Sequence, residues 1–140
     1  MITIRLLIKL YKIIQRLFTS IRLADVDKMD GLDFEKYVAN ILNKQGYSNI
    51  KLTERFDYGV DIIAHKDGIR WGVQVKRYSG LVKADAVRQV VAGLPIYKCD
   101  RAMVITNSVF SNFAIRLAQS NQCTLIDRNK LAKMGIVLSK

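Results

Sequence analysis

Phe56–Tyr78, FDYGVDIIAHKDGIRWGVQVKRY, is the stretch on which the reading of the fold turns. Tyr58 to His65 is apolar and rich in β-branched residues, and Lys66-Asp67-Gly68 follows as a turn signal. Ile69 to Tyr78 then carries Trp71, Val73 and Val75 at alternate positions. The pattern predicts two antiparallel strands around a tight turn. Three polar residues sit oddly within it. Asp61 interrupts an apolar run, while Gln74 and Lys76 lie two apart and so share one face of the second strand. An acid, an amide and an ammonium on a mostly buried sheet are costly to desolvate unless they bind something.

The rest of the chain narrows what that could be. Among 140 residues there are 23 Lys and Arg against 12 Asp and Glu, a net charge of +11. Such an excess favours a polyanionic partner, nucleic acid or an anionic membrane face, over a neutral one. Half the residues are apolar and only one is Pro, which suits a packed core rather than a disordered chain. Cys99 and Cys123 are far apart and lack metal-site spacing, so they read as reduced thiols of a cytoplasmic protein.

Outward from the hairpin, residues 1–23 (MITIRLLIKLYKIIQRLFTSIRL) read as an amphipathic helix. At 100° per residue, Arg5, Lys9, Lys12 and Arg16 fall within an arc of roughly 60°, with Leu6, Leu10, Ile13, Ile14, Leu17 and Ile21 elsewhere. Charges every three or four residues argue against a spanning helix, and their distribution is unlike that of a secretory signal. Packing on the body or a second subunit, lying on a membrane surface and contacting DNA phosphates all remain open. Ala24–Asp30 (ADVDKMD) reads as an acidic linker, placing the boundary between a 1–28 segment and a 29–140 domain.

Beyond that linker, Gly31–Gly46 is expected to be a helix with Asp30 as N-cap and Gly46 as the stop. Asp33 and Glu35 lie in its first turn, where a helix dipole favours acids. Tyr47–Leu52 should be a short strand. After the hairpin come a helix from Lys83 to Ala92, a buried strand Ala102–Thr106 and a loop Asn107–Phe110. A helix capped by Ser111, a strand Cys123–Ile126 and a last helix Arg128–Met134 complete the chain. A meander followed by alternating strands and helices implies an α/β sandwich around a mixed sheet.

Asp61, Gln74 and Lys76 suggest a site for phosphodiester chemistry. Asp61 is the anionic ligand for a divalent ion, Gln74 adds a neutral oxygen, and Lys76 stabilises negative charge. Glu35 reaches the same ion if its helix packs at the open end of the hairpin. Spacing alone leaves a plainer reading open, in which Asp61 is a bulge or edge residue and Gln74-Val75-Lys76 a solvated face. Arg55, Arg77, Lys83 and Arg88, with Lys51, Arg70 and the ring of Tyr78, are candidates for phosphate contact. Trp71 reads as core, and His65 as an exposed residue beside a turn.

The same residues carry a resemblance. Gly31-x-x-Phe34-Glu35, Asp57-Tyr58-Gly59-Val60-Asp61 and Val73-Gln74-Val75-Lys76-Arg77-Tyr78 stand in one order with Val104-Ile105-Thr106-Asn107, Phe110-Ser111 and Leu125-Ile126-Asp127. From Gly31 to about Gly135 the chain resembles the catalytic domain of Mrr-like restriction endonucleases, in the PD-(D/E)xK nuclease superfamily. That implies a restriction-endonuclease-like α/β sandwich and Mg²⁺-dependent cleavage of double-stranded DNA, with Mn²⁺ as an alternative ion. It assigns metal binding to Asp61 and Gln74, the catalytic lysine to Lys76 and a supporting role to Glu35. Gln74 stands where the commoner superfamily motif has an acid. Mrr-type enzymes also carry a separate recognition domain, typically of winged-helix type, which is not read in this sequence. A homodimer would cut both strands. A structure-selective nuclease of the Holliday-junction type and a non-catalytic binder of DNA or membrane, tethered by residues 1–23, are the rival readings.

Overall fold

The computed structural model describes residues 3–53 and 58–135, and for residues 18–22 the backbone only. Arg55 and Asp57, both singled out above, lie outside the described residues.

Asp67 and Gly68 both take positive φ (52° and 78°), the backbone that a two-residue hairpin turn demands. They join β2 (Ile62–Lys66) to β3 (Ile69–Lys76), paired from Ile62↔Val73 to Lys66↔Ile69. β1 (Ser48–Leu52) adds antiparallel to β2. On the other edge β3 pairs in parallel with β5 (Arg101–Thr106), and β5 with β7 (Thr124–Ile126). The mixed sheet has the order β1-β2-β3-β5-β7. A small parallel pair, β4 (Leu81–Val82) with β6 (Val109–Phe110), stands beside it.

Alternation along the strands divides the core between the two faces. Ile62, Val73, Met103 and Ile105 pack under α2 (Gly31–Lys44) and α5 (Arg128–Gly135), against Phe34, Val38, Leu42 and Leu131. Ile63, Ala102 and Val104 pack under α3 (Ala84–Gly93) and α4 (Asn112–Ser120), against Val87, Val90, Ala114 and Ala118. The helices start where expected. Asp30 accepts from the Asp33 N–H at 2.7 Å, and Ser111 from the Ala114 N–H at 3.1 Å. The α/β sandwich around a mixed sheet expected above is present.

Four local expectations need correction. The first strand of the hairpin begins at Ile62, not Tyr58, which is 64% exposed. The supposed linker is half helix, because α1 runs unbroken from Ile4 to Asp27. Ala24-Asp25-Val26-Asp27 changes the charge but contains no Gly or Pro, and Val26 is buried in the core, so nothing stops the helix there. The loop Asn107–Phe110 contains β6. His65 is half-buried, its Nε2 lying 3.2 Å from an Arg70 guanidinium nitrogen.

The end of α1 is fastened to the sheet. Asp27 accepts from Arg128 at 2.7 Å and from the Asn107 amide at 3.0 Å. The Arg128 hydrogen bond holds the Asp27 carboxyl below its ordinary 3.8, partial burial opposing it and Asn107 assisting. A depressed folded-state pKa contributes stability above the unfolded value, and that contribution is lost as pH falls below it. Asp27→Asn is therefore expected to lower the urea midpoint at neutral pH and to flatten its fall below about pH 4, where mutant and wild type converge. Equal acid sensitivity in mutant and wild type would show that the pair contributes nothing.

Candidate functional site

β2 and β3 part company at Ile62↔Val73, and β3 continues for three residues with β5 alone as its neighbour. Asp61 occupies the resulting fork. Its N–H donates to the Val73 carbonyl at 2.8 Å, so Asp61 and Ile62 both face Val73. Two residues against one is a β-bulge, a device that re-aims a side chain. Val60 accordingly packs with the α3-side core while Ile62 packs with the α2-side core. The Asp61 carboxylate then accepts the Val75 N–H at 2.7 Å, which seats it against the backbone between Gln74 and Lys76.

Gln74 lies on the α3 face and is only 5% exposed. Its amide nitrogen donates to Gln89 Oε1 on α3 at 3.0 Å, which fixes the orientation of the group. The carbonyl oxygen so aimed is buried and has no hydrogen-bond partner among the described residues. Leaving a buried acceptor unpaired costs about 1–3 kcal/mol, so such an atom calls for a functional account. Gln89 was missed in the sequence because one glutamine on a helix surface carries no periodic or motif signal.

Lys76, half-buried, comes next on the same face of β3. It lines a cavity of about 210 Å³ together with Tyr78, Val82, Lys83 and Asp85. Thus the structure gathers Lys76, Tyr78 and Lys83 at one opening. Arg88 lies further along α3, its guanidinium 5.9 Å from the ring of Phe113, which Arg116 approaches equally closely. Arg77 donates to the Asp27 carbonyl at 3.0 Å. Arg70 faces elsewhere, with Nε donating to the Tyr97 carbonyl at 3.0 Å. Lys51 is exposed on β1.

Glu35 is half-buried on α2, whose buried stripe of Phe34, Val38, Ile41 and Leu42 covers the face opposite to Gln74. It and Gln74 therefore belong to different faces of the sheet. Among the described residues no group of three or more His, Cys, Asp and Glu is gathered.

The segment after Lys76 is braced by β5. Thr106 Oγ1 donates to the Lys76 carbonyl at 2.6 Å, and the Tyr78 N–H donates to Asn107 Oδ1 at 2.7 Å. Asn107 is 4% exposed and also reaches Asp27, so one buried amide links α1 to the strand that carries Lys76. These bonds fix where the chain leaves the site.

Comparison with known proteins follows the geometry. AspBHI, a DNA modification-dependent restriction endonuclease, superposes with a TM-score of 0.63 at 12% identity, over 83% of this chain and 34% of that one. AF1548, a protein of unknown function, gives 0.59 at 18% identity over 66% and 55%. The MspJI restriction endonuclease, solved with a 27-mer oligonucleotide, gives 0.53 at 17% identity over 88% and 29%. The chain thus spans between 29% and 55% of the length of these structures, and likeness at such identities concerns the fold. No curated protein matches significantly. Residues 26–135 match the Mrr_cat model, described as a restriction endonuclease, from the last turn of α1 through α5. The chain belongs to the Mrr_cat restriction endonuclease family.

Proposed function

We propose that this chain is a metal-dependent DNA endonuclease that hydrolyses phosphodiester bonds at the fork between β2 and β3. The observation that carries the reading is the unpartnered, buried Gln74 Oε1 on a strand whose next backbone N–H, that of Val75, donates to the Asp61 carboxylate. An anionic oxygen and a neutral one held against the same stretch of β3 suit a hard divalent cation such as Mg²⁺, or Mn²⁺. Asp61 and Gln74 would hold it, with Glu35 as the further carboxylate. The ion would neutralise charge on the phosphate and make water a better nucleophile at neutral pH.

The chain's own contribution is placement. Gln89 fixes the Gln74 amide so that its oxygen needs no reorientation when a cation arrives. Lys76 holds an ammonium where charge develops on the phosphate. A DNA strand laid over the adjoining cavity meets Tyr78 and Lys83, with Arg88 and Arg77 on its flanks. Such contacts set the position of the backbone and carry no sequence information. One site per chain cuts one strand, so a two-fold dimer is the simplest route to a double-strand break. Burial pushes the Cys123 thiol up to about 11 and raises that of Cys99, which supports inert thiols.

The test is cleavage of supercoiled plasmid, linear duplex and a four-way junction with Mg²⁺ or Mn²⁺. Nicking should appear with the metal, stop with chelator and fall by about 10²-fold or more in Lys76→Ala. Cutting of the junction alone would make the enzyme structure-selective. Unchanged cutting in Lys76→Ala would reject this site, and duplex binding without cleavage under either metal would reject the enzyme.

A further inference from the structure

We propose that α1 is a docking element for an anionic lipid surface, on which it lies with its axis parallel to the bilayer. Among the described residues, the body holds this helix by its final turn, where Val26 is buried at 2% exposure and Asp27 bonds Arg128. Toward the other end, every large apolar side chain from Ile4 to Leu17 is 44–75% exposed. Nine such residues in fourteen, uncovered by the domain, form the most apolar open surface among the described residues. Arg5, Lys9, Lys12 and Arg16 form one stripe about 60° wide along the same helix, and no acid precedes Asp25.

Charge and apolarity together select the occupant. Duplex DNA would take the stripe and leave Leu7, Leu10 and Ile14 in water. A second helix, including that of another copy, would cover the apolar arc but set like charges along one seam or leave them unmatched. An anionic bilayer takes both at once. The apolar arc sinks to the acyl boundary, and the Lys and Arg stems reach back to the headgroup phosphates. No described helix is long and apolar enough to cross the bilayer, which fits lying on it.

The experiment is cosedimentation of the full chain with vesicles of phosphatidylcholine and phosphatidylglycerol in equal parts, beside pure phosphatidylcholine. Partition should be at least about 10-fold stronger on the anionic vesicles and should weaken as salt rises. Leu7→Gln with Ile14→Gln, both on exposed positions opposite the stripe, should abolish it while circular dichroism and the melting temperature stay unchanged. Absence of partition onto the anionic vesicles overturns the proposal, and so does partition that survives the double substitution. If the double substitution instead dissolves an oligomer seen by sedimentation velocity, with no vesicle binding in the parent chain, a second copy is the occupant. If Lys9→Gln and Lys12→Gln weaken duplex DNA binding in a chain that ignores vesicles, DNA is.

Discussion

Asp61→Asn is expected to lower metal-dependent nicking by about 10³-fold while moving the melting temperature by no more than a few degrees. Asparagine has the same shape, and its carbonyl oxygen can accept the Val75 N–H that Asp61 accepts now at 2.7 Å. The bulge therefore survives, together with the Asp61 N–H bond to Val73. What disappears is the formal charge. With the neutral Gln74 as the other proposed strand ligand, that charge is most of what would attract a divalent ion, so its removal should weigh more than in a site with two strand carboxylates. Asp61→Ala is the less informative change, since it also strands the Val75 N–H at a cost of about 1–3 kcal/mol. Initial nicking rates, calorimetric titration with Ca²⁺ and a thermal melt separate the two effects. Nicking by Asp61→Asn within ten-fold of wild type, on a folded protein, would remove Asp61 from the site.

The hairpin and its turn were legible because period-two apolarity and an Asp-Gly pair are local signals, and local signals survive in a sequence. Asp61, Gln74 and Lys76 stood out for a related reason: a polar side chain within a buried strand is conspicuous against its neighbours. A bulge at Asp61 was one plain reading of the sequence, but nothing local selects it over an edge residue. Tyr58–Asp61 has the composition of a strand, and what bends it is the contact of Gly59 with α3, which no window of sequence contains. β6 escaped similarly, being two residues long and defined only by its partner Leu81–Val82. The end of α1 was misjudged because a change of charge was taken for a break, although helices are stopped by Gly, Pro and caps rather than by acids. Arg70 shows the limit for surface charge. In sequence it belongs with the other cations around the hairpin, yet its side chain turns to the Tyr97 carbonyl and His65.

Gly93→Ala should destabilise the domain by about 2 kcal/mol, a fall of roughly 8 °C in melting temperature, although alanine is the better helix former. In an open helix the change would gain up to about 1 kcal/mol from propensity. Here a Cβ on Gly93 would stand 2.1 Å from the Tyr58 carbonyl oxygen and 3.2 Å from Val60 Cγ2. The first neighbour is backbone and cannot swing aside, so the loop or the helix must move. The opposing contact is as tight, since a Cβ on Gly59 would meet the Gln89 carbonyl oxygen at 2.3 Å. Two glycines thus let the loop before β2 lie directly on α3. That loop delivers Asp61, and α3 carries the Gln89 that orients Gln74. A shift of 1 Å at this crossing moves the two metal-binding candidates relative to each other, and misplacement on that scale can lower a rate by about 10²-fold. Gly31→Ala, where an added Cβ meets nothing within 4 Å, serves as the control and should be neutral or mildly stabilising. Activity should therefore fall in Gly93→Ala even at temperatures where the variant is fully folded. A Gly93→Ala protein with wild-type melting and wild-type nicking would mean that the loop is not seated on α3, and that the fork is held open by something else.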